Sequence, residues 1–141
     1  MGEDGKSIDQ ELAELEAEER TRAEAEELEE KQQKVAYLKL TKQFEASHGK
    51  RGKDFTVVMV RKIGVFVVRK PTIVEYKTRM AKLEEENRHE DTHAFAREIV
   101  LHPDKMTFDG IASDHPGVAN ALEREGMTLA HLLEGARRKK S

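Results

Sequence analysis

The stretch DFTVVMVRKIGVFVVRKPTIVEYKTRMAKL, residues 54–83, decides the fold. Its two apolar runs, 55–60 and 65–69, are rich in Val and Phe, side chains that pack well on a pleated, half-buried surface. Between them Lys62-Ile63-Gly64 offers a place for the chain to reverse, so the pattern predicts a β-hairpin. Pro71 has no N–H for a central ladder and holds Lys70 extended, which ends the second strand. Thr72 and Glu75 then match a capping box, in which the threonine oxygen takes an orphan helical N–H and the glutamate reaches back to the cap. A helix is expected from Ile73.

Alternation along the hairpin places Phe55, Val57 and Met59 on one face and Val58 and Val60 on the other. The helix that follows aligns Ile73, Tyr76, Met80 and Leu83 at spacings of three and four, an apolar stripe able to cover one face. A lone hairpin is marginal in water and one helix cannot bury both faces. The expectation is that a strand face or edge meets a second protein chain, with Phe55, Val57, Met59, Val65, Val67 and Tyr76 as the candidate protein-binding residues.

Toward the N-terminus the chain turns acidic. Residues 1–46 hold 14 Asp and Glu against 7 Lys and Arg, a net −7, and the remainder holds 14 against 18, a net +4. Ser7 and Gln10 form a second capping box, and residues 11–30 contain no Gly or Pro, so a helix is expected from Ile8. Ile8, Leu12 and Leu15 begin a stripe, but its continuation meets Glu19, Arg22, Glu26 and Glu29 before Ala36 and Leu40. That is too broken for a sustained heptad coiled coil, and it predicts an exposed or partly disordered acidic helix. Val35 and Leu38, with Tyr37, Leu40 and Phe44, are expected to dock on the following domain. The helix should stop before Ser47-His48-Gly49, opening a basic linker over 47–53 that contains Lys50-Arg51-Gly52-Lys53.

Toward the C-terminus, residues 84–91 are polar, and Asp91 or Thr92 is expected to cap a short helix with Ala94, Phe95, Ile99 and Leu101 inward, ending at His102-Pro103-Asp104. A short turn around Phe108 and Ile111 follows. A helix near Pro116 should turn Val118, Ala121 and Leu122 inward and stop at Gly126. Thr128 would cap a last helix carrying Leu129, Leu132, Leu133 and Ala136, before a basic tail over 137–141. The fold class is therefore α+β: an acidic helical arm over 1–46, the basic linker, then a small domain over 54–136 in which three to four short helices pack a hairpin.

With 37% hydrophobic and 38% charged residues and no Trp in 141, the whole chain is too polar for one core of that size. Absence of Cys excludes a disulfide framework, a thiolate nucleophile and a Cys-based zinc site. No apolar run approaches the roughly 20 residues of a membrane span, and MGEDGKSIDQ lacks a signal peptide's apolar core. These features predict a soluble cytoplasmic protein without a membrane partner.

His89-Glu90-Asp91-Thr92-His93 fits H-E-x-x-H, in which two histidines on one helical face hold zinc and the glutamate acts as base on the bound water. Its setting argues against that chemistry. The pentapeptide interrupts the apolar stripe, Asp91 and Thr92 read as a helix cap, and no longer metalloprotease framework follows. His89 and His93 as ligands with Glu90 as base stand as the alternative, a small zinc hydrolase. The principal reading has no catalytic residue, no metal and no cofactor. The two basic clusters have no interleaved aromatic residues for base stacking, so specific nucleic-acid binding is not expected.

The order of features resembles a family. Val67-Val68-Arg69-Lys70-Pro71-Thr72 leading into Glu75-Tyr76, then Ile99-Val100-Leu101-His102-Pro103-Asp104 with Phe108, and Pro116 followed by the closing apolar helices, is similar to the tail assembly chaperones of long-tailed bacteriophages, over about residues 67–135. The resemblance implies an α+β adaptor without a catalytic centre that holds the aggregation-prone tape-measure protein and brings tail-tube subunits to it in the host cytoplasm. The acidic arm has no counterpart in that pattern. A structural component of a virion or other assembly, packed through the acidic helix, is the alternative within the same class, and self-association is compatible with either.

Overall fold

The computed structural model describes residues 7–83 and 88–140, with side chains described at 7–83 and 91–131. The fold is α+β, as the sequence pattern predicts, and the described residues form a long N-terminal helix, a three-stranded antiparallel sheet and four further helices. The hairpin forms where expected: β1 is Phe55–Val60 and β2 is Gly64–Arg69, paired from Phe55 opposite Arg69 to Val60 opposite Gly64. Lys62 takes a positive φ of 68° in the turn, and Ile63 N donates to Val60 O at 3.0 Å to close it.

A third strand, β3 (Val100–His102), pairs antiparallel with β2 through Val67 opposite His102 and Val68 opposite Val100, so β2 is central. This corrects the expectation that Leu101 continues a helix. Helix α3 (Arg88–Ile99) ends at Ile99, and three extended residues join the sheet before Asp104 caps α4 (Lys105–Asp114), its side chain accepting from Thr107 N at 2.8 Å. Where a short turn was expected, α4 has ten residues and buries Phe108 and Ala112. Helix α5 (Gly117–Lys140) runs unbroken through Gly126 and Thr128, neither of which stops or caps a helix. Gly126 is needed for packing: a Cβ there would run into Ile99 Cδ1, so its bare backbone lets α5 lie close against α3. Thr128 Oγ1 donates back to Arg124 O at 2.8 Å within the helix. The expected packing of Leu132, Leu133 and Ala136 lies outside the described side chains.

The sheet is covered on both faces by this chain. Phe66 and Val68, with Val58 and Val60, pack on Phe95, Ile99, Phe108, Val118 and Leu122 from α3, α4 and α5. The opposite face carries Phe55, Val57 and Val67, and the C-terminal part of α1 (Ile8–His48) closes it with Leu40, Phe44 and Tyr37. Phe44 and Phe55 meet with ring centroids 6.2 Å apart. The layer order is α1, sheet, then α3 to α5.

Helix α2 (Ile73–Lys82) starts at the expected capping box, with Glu75 N donating to Thr72 Oγ1 at 3.1 Å and Thr72 N to Glu75 Oε1 at 2.8 Å. It does not cover the hairpin. It packs against α3 and α5, and Ile73, Val74 and Met80 are exposed while Arg79 is buried. The stripe read from its apolar residues is therefore displaced, because a buried ion pair decides which face turns inward.

Candidate protein-interaction surface

Helix α1 has 41 residues, a length of about 60 Å at 1.5 Å per residue. Its inward stripe is Glu26, Glu29, Gln33, Ala36, Tyr37, Leu40, Thr41 and Phe44. The upper part of that stripe is apolar and sits on the sheet. The lower part is polar and sits on the hairpin turn: Gln33 Nε2 donates to Val60 O at 3.3 Å, Arg61 lies 3.8 Å from Glu30, and Lys62 lies 3.7 Å from Glu26. Val35 and Leu38, expected to dock, point away and are exposed, since 100° per residue carries them off the 33, 37, 40, 44 line.

Beyond the turn α1 continues over residues 8–25 with every residue exposed. Its capping box holds, with Gln10 N donating to Ser7 Oγ at 3.2 Å and Ser7 N to Gln10 Oε1 at 3.0 Å. Three apolar side chains stand exposed there: Ile8 at 75%, Leu12 at 51% and Leu15 at 55%. Each lies 18 residues before one of the residues that grip the turn, Glu26, Glu30 and Gln33. Eighteen residues at 100° each is five whole turns, so on a straight helix Ile8, Leu12 and Leu15 face the same side as the hairpin tip, about 27 Å further along. The seam that looks broken in sequence is one line with three zones: apolar on the sheet, polar on the turn, apolar again on the projecting part.

The six residues expected to bind protein are not one open surface. Phe55, Val57, Val65 and Val67 share a sheet face as alternation requires, but α1 lies on that face; Phe55, Val57 and Val67 are buried there and Val65 is half-buried. Met59 is 46% exposed at the margin of α1, and Tyr76 is half-buried on α2, away from that face. Tyr37, Leu40 and Phe44 dock on the domain as expected, and the face they cover is the one that was assigned to a partner.

His93 belongs to a surface polar cluster. Its Nε2 lies 2.9 Å from Asp109 Oδ1, Arg97 Nε donates to both oxygens of Asp109 at 3.1 and 3.0 Å, and the imidazole stacks on Phe108 at 5.2 Å. Arg97 first, then His93, holds the Asp109 carboxyl below its ordinary range. His89 and Glu90 lie outside the described side chains. Asp91 and Thr92 stand within α3 rather than at its start; Thr92 is buried and accepts from Arg79 Nη2 at 2.6 Å. Among the described residues no three His, Cys, Asp or Glu gather as a metal site.

Two ion pairs escaped the sequence reading. Arg69 makes a double hydrogen bond to Glu75, at 2.8 and 2.9 Å, and also donates to Glu98 O at 3.1 Å. This contact, helped by the Thr72 backbone N–H, holds the Glu75 carboxyl down to about 2. Arg79, 2% exposed, joins Glu123 of α5 to Thr92 of α3. Its only local signal is its place four residues after Glu75; its partners are 13 and 44 residues away. Among the described residues no helix is long and apolar enough to cross a membrane. Comparison with protein-family models, with curated proteins and with solved structures finds no match to this chain.

Proposed function

We propose that the protein is a non-enzymatic assembly chaperone or adaptor that binds a protein partner along the projecting part of α1. The observation that carries this is the exposure of Ile8, Leu12 and Leu15 on the side of α1 that faces the body, in phase with the residues already docked. Such a row offers a partner a continuation of an existing interface. Residues 7–30 carry eleven carboxylates and two arginines, so the complementary partner has an apolar stripe flanked by cations. The resemblance of residues 67–135 to phage tail chaperones names the class of client, a tape-measure or tail-tube protein. Co-expression with such a protein should carry it into the soluble fraction as a complex. A client that aggregates equally with and without this chain defeats the reading. The length of α1 also suits a structural component retained in a particle, and presence in the purified assembly distinguishes that role.

A further inference from the structure

One edge of the sheet lies along β1, and its hydrogen-bond parity can be read. Lys70 N donates to Asp54 O at 2.9 Å and Ile63 N to Val60 O at 3.0 Å, which makes 54/70, 56/68, 58/66 and 60/64 the bonded pairs. Phe55, Val57 and Met59 therefore aim their N–H and C=O groups outward. One further observation agrees: Phe55 O accepts from Gly52 N at 2.7 Å on that outer side. The loop at Arg51 and Gly52 closes the edge at Phe55, and Gln33 reaches Val60 O. Among the described residues nothing reaches the backbone groups of Val57 and Met59. Natural sheets guard such edges with inward charges, prolines or bulges, and Thr56-Val57-Val58-Met59-Val60 has none.

We infer that β1 pairs with β1 of a second copy of this chain, antiparallel about a twofold axis at Val58, joining two three-stranded sheets into one of six. The register follows from the free groups. An axis at Val58 sets Val57 of one copy opposite Met59 of the other and the reverse, both as bonded pairs, so four N–H···O bonds use every open group. Side chains agree with this register: Met59 meets Val57 on one face, and Val58 meets its own counterpart on the other, all uncharged. Beside Met59 a recess of about 240 Å³ is lined by Glu30, Gln33, Lys34 and Arg61. Within it Glu30 pairs with Arg61 of its own chain at 3.8 Å, which offsets one of the two cations beside the edge. Thr56, Val58 and Val60 are partly exposed and Met59 is 46% exposed along this edge, while the side chain of Val57 packs under α1 and only its backbone is offered to the added strand.

The test is light scattering on the full-length protein after size exclusion, over a concentration series. The expected mass at high concentration is twice the 16.1 kDa of one chain. Met59→Pro removes only an outward N–H, leaving the β1–β2 ladder intact, and takes away two of the four intermolecular bonds; it should weaken self-association at least about tenfold. Met59→Lys, a charge at an exposed edge position, should weaken it in the same direction with an unchanged circular dichroism spectrum. Leu12→Asp with Leu15→Asp should leave the dimer as it is. A monomer at every concentration, a dimer indifferent to both Met59 variants, or a dimer lost only with the Leu12 and Leu15 changes overturns the pairing. A monomer that takes a strand of a different protein along β1 overturns it too.

Discussion

Gly126 and Ile99 show how one missing side chain sets a helix crossing. Alanine is better than glycine in a helix interior by about 1 kcal/mol, yet a methyl at 126 meets the Cδ1 of a fully buried isoleucine. Gly126→Ala should therefore gain nothing in the native protein and stabilise by about 1 kcal/mol once Ile99→Val removes that methyl. Urea denaturation of the four proteins in the cycle measures this coupling. Arg79 presents the opposite case, a charge held inside. Arg79→Met leaves Glu123 without its cation in a nearly closed site and should cost about 3–5 kcal/mol, while adding Glu123→Met should recover most of it. Glu75 gives the protein an acid limb. Its folded-state pKa of about 2 lies below the ordinary value of about 4.3, so its contribution is full above that ordinary value and lost as pH falls toward 2. Glu75→Gln should lower the urea midpoint at pH 7 and flatten its fall between about pH 4.3 and 2. The capping boxes at Ser7 and Thr72 were legible because both partners lie within three residues. Arg79 was not, because its partners sit on other helices and a lone arginine in sequence reads as solvated.

At the scale of elements, α1 is two objects in one helix. Residues 8–25 are exposed along their whole length, whereas Leu40 and Phe44 close a sheet face. Deleting residues 1–24 should leave the thermal midpoint nearly unchanged. Phe44→Ala should cost about 3–5 kcal/mol, and a chain begun at Ser47 should aggregate through bare Phe55, Val57 and Val67. Differential scanning fluorimetry and static light scattering separate these outcomes. The hairpin and the starts of α1 and α2 were legible because period-two alternation and capping chemistry are local. Strand β3 was hidden, since three residues after a helix carry no alternation to detect. Gly126 misled as a stop because a glycine used for close packing and one used to end a helix look alike without the neighbouring helix.

In the whole molecule, the high proportion of charge is reconciled with a real core by division of labour. A compact body of sheet and helices holds the buried apolar residues, and much of the acidic charge is carried outward on α1. The hairpin has two apolar faces that one helix cannot cover, and the second, expected to meet a partner, is taken by the chain's own α1. The row proposed for a client, Ile8, Leu12 and Leu15, was concealed by the broken heptad because its middle contacts the turn through Glu26, Glu30 and Gln33. The direct measurement is capture of a co-expressed client by the full-length protein and by its Leu12→Asp, Leu15→Asp variant, with melting curves recorded alongside. Both positions are more than half exposed, so stability should change by less than about 0.5 kcal/mol. The account predicts an unchanged melt and loss of the complex; an unchanged melt with the complex intact contradicts it.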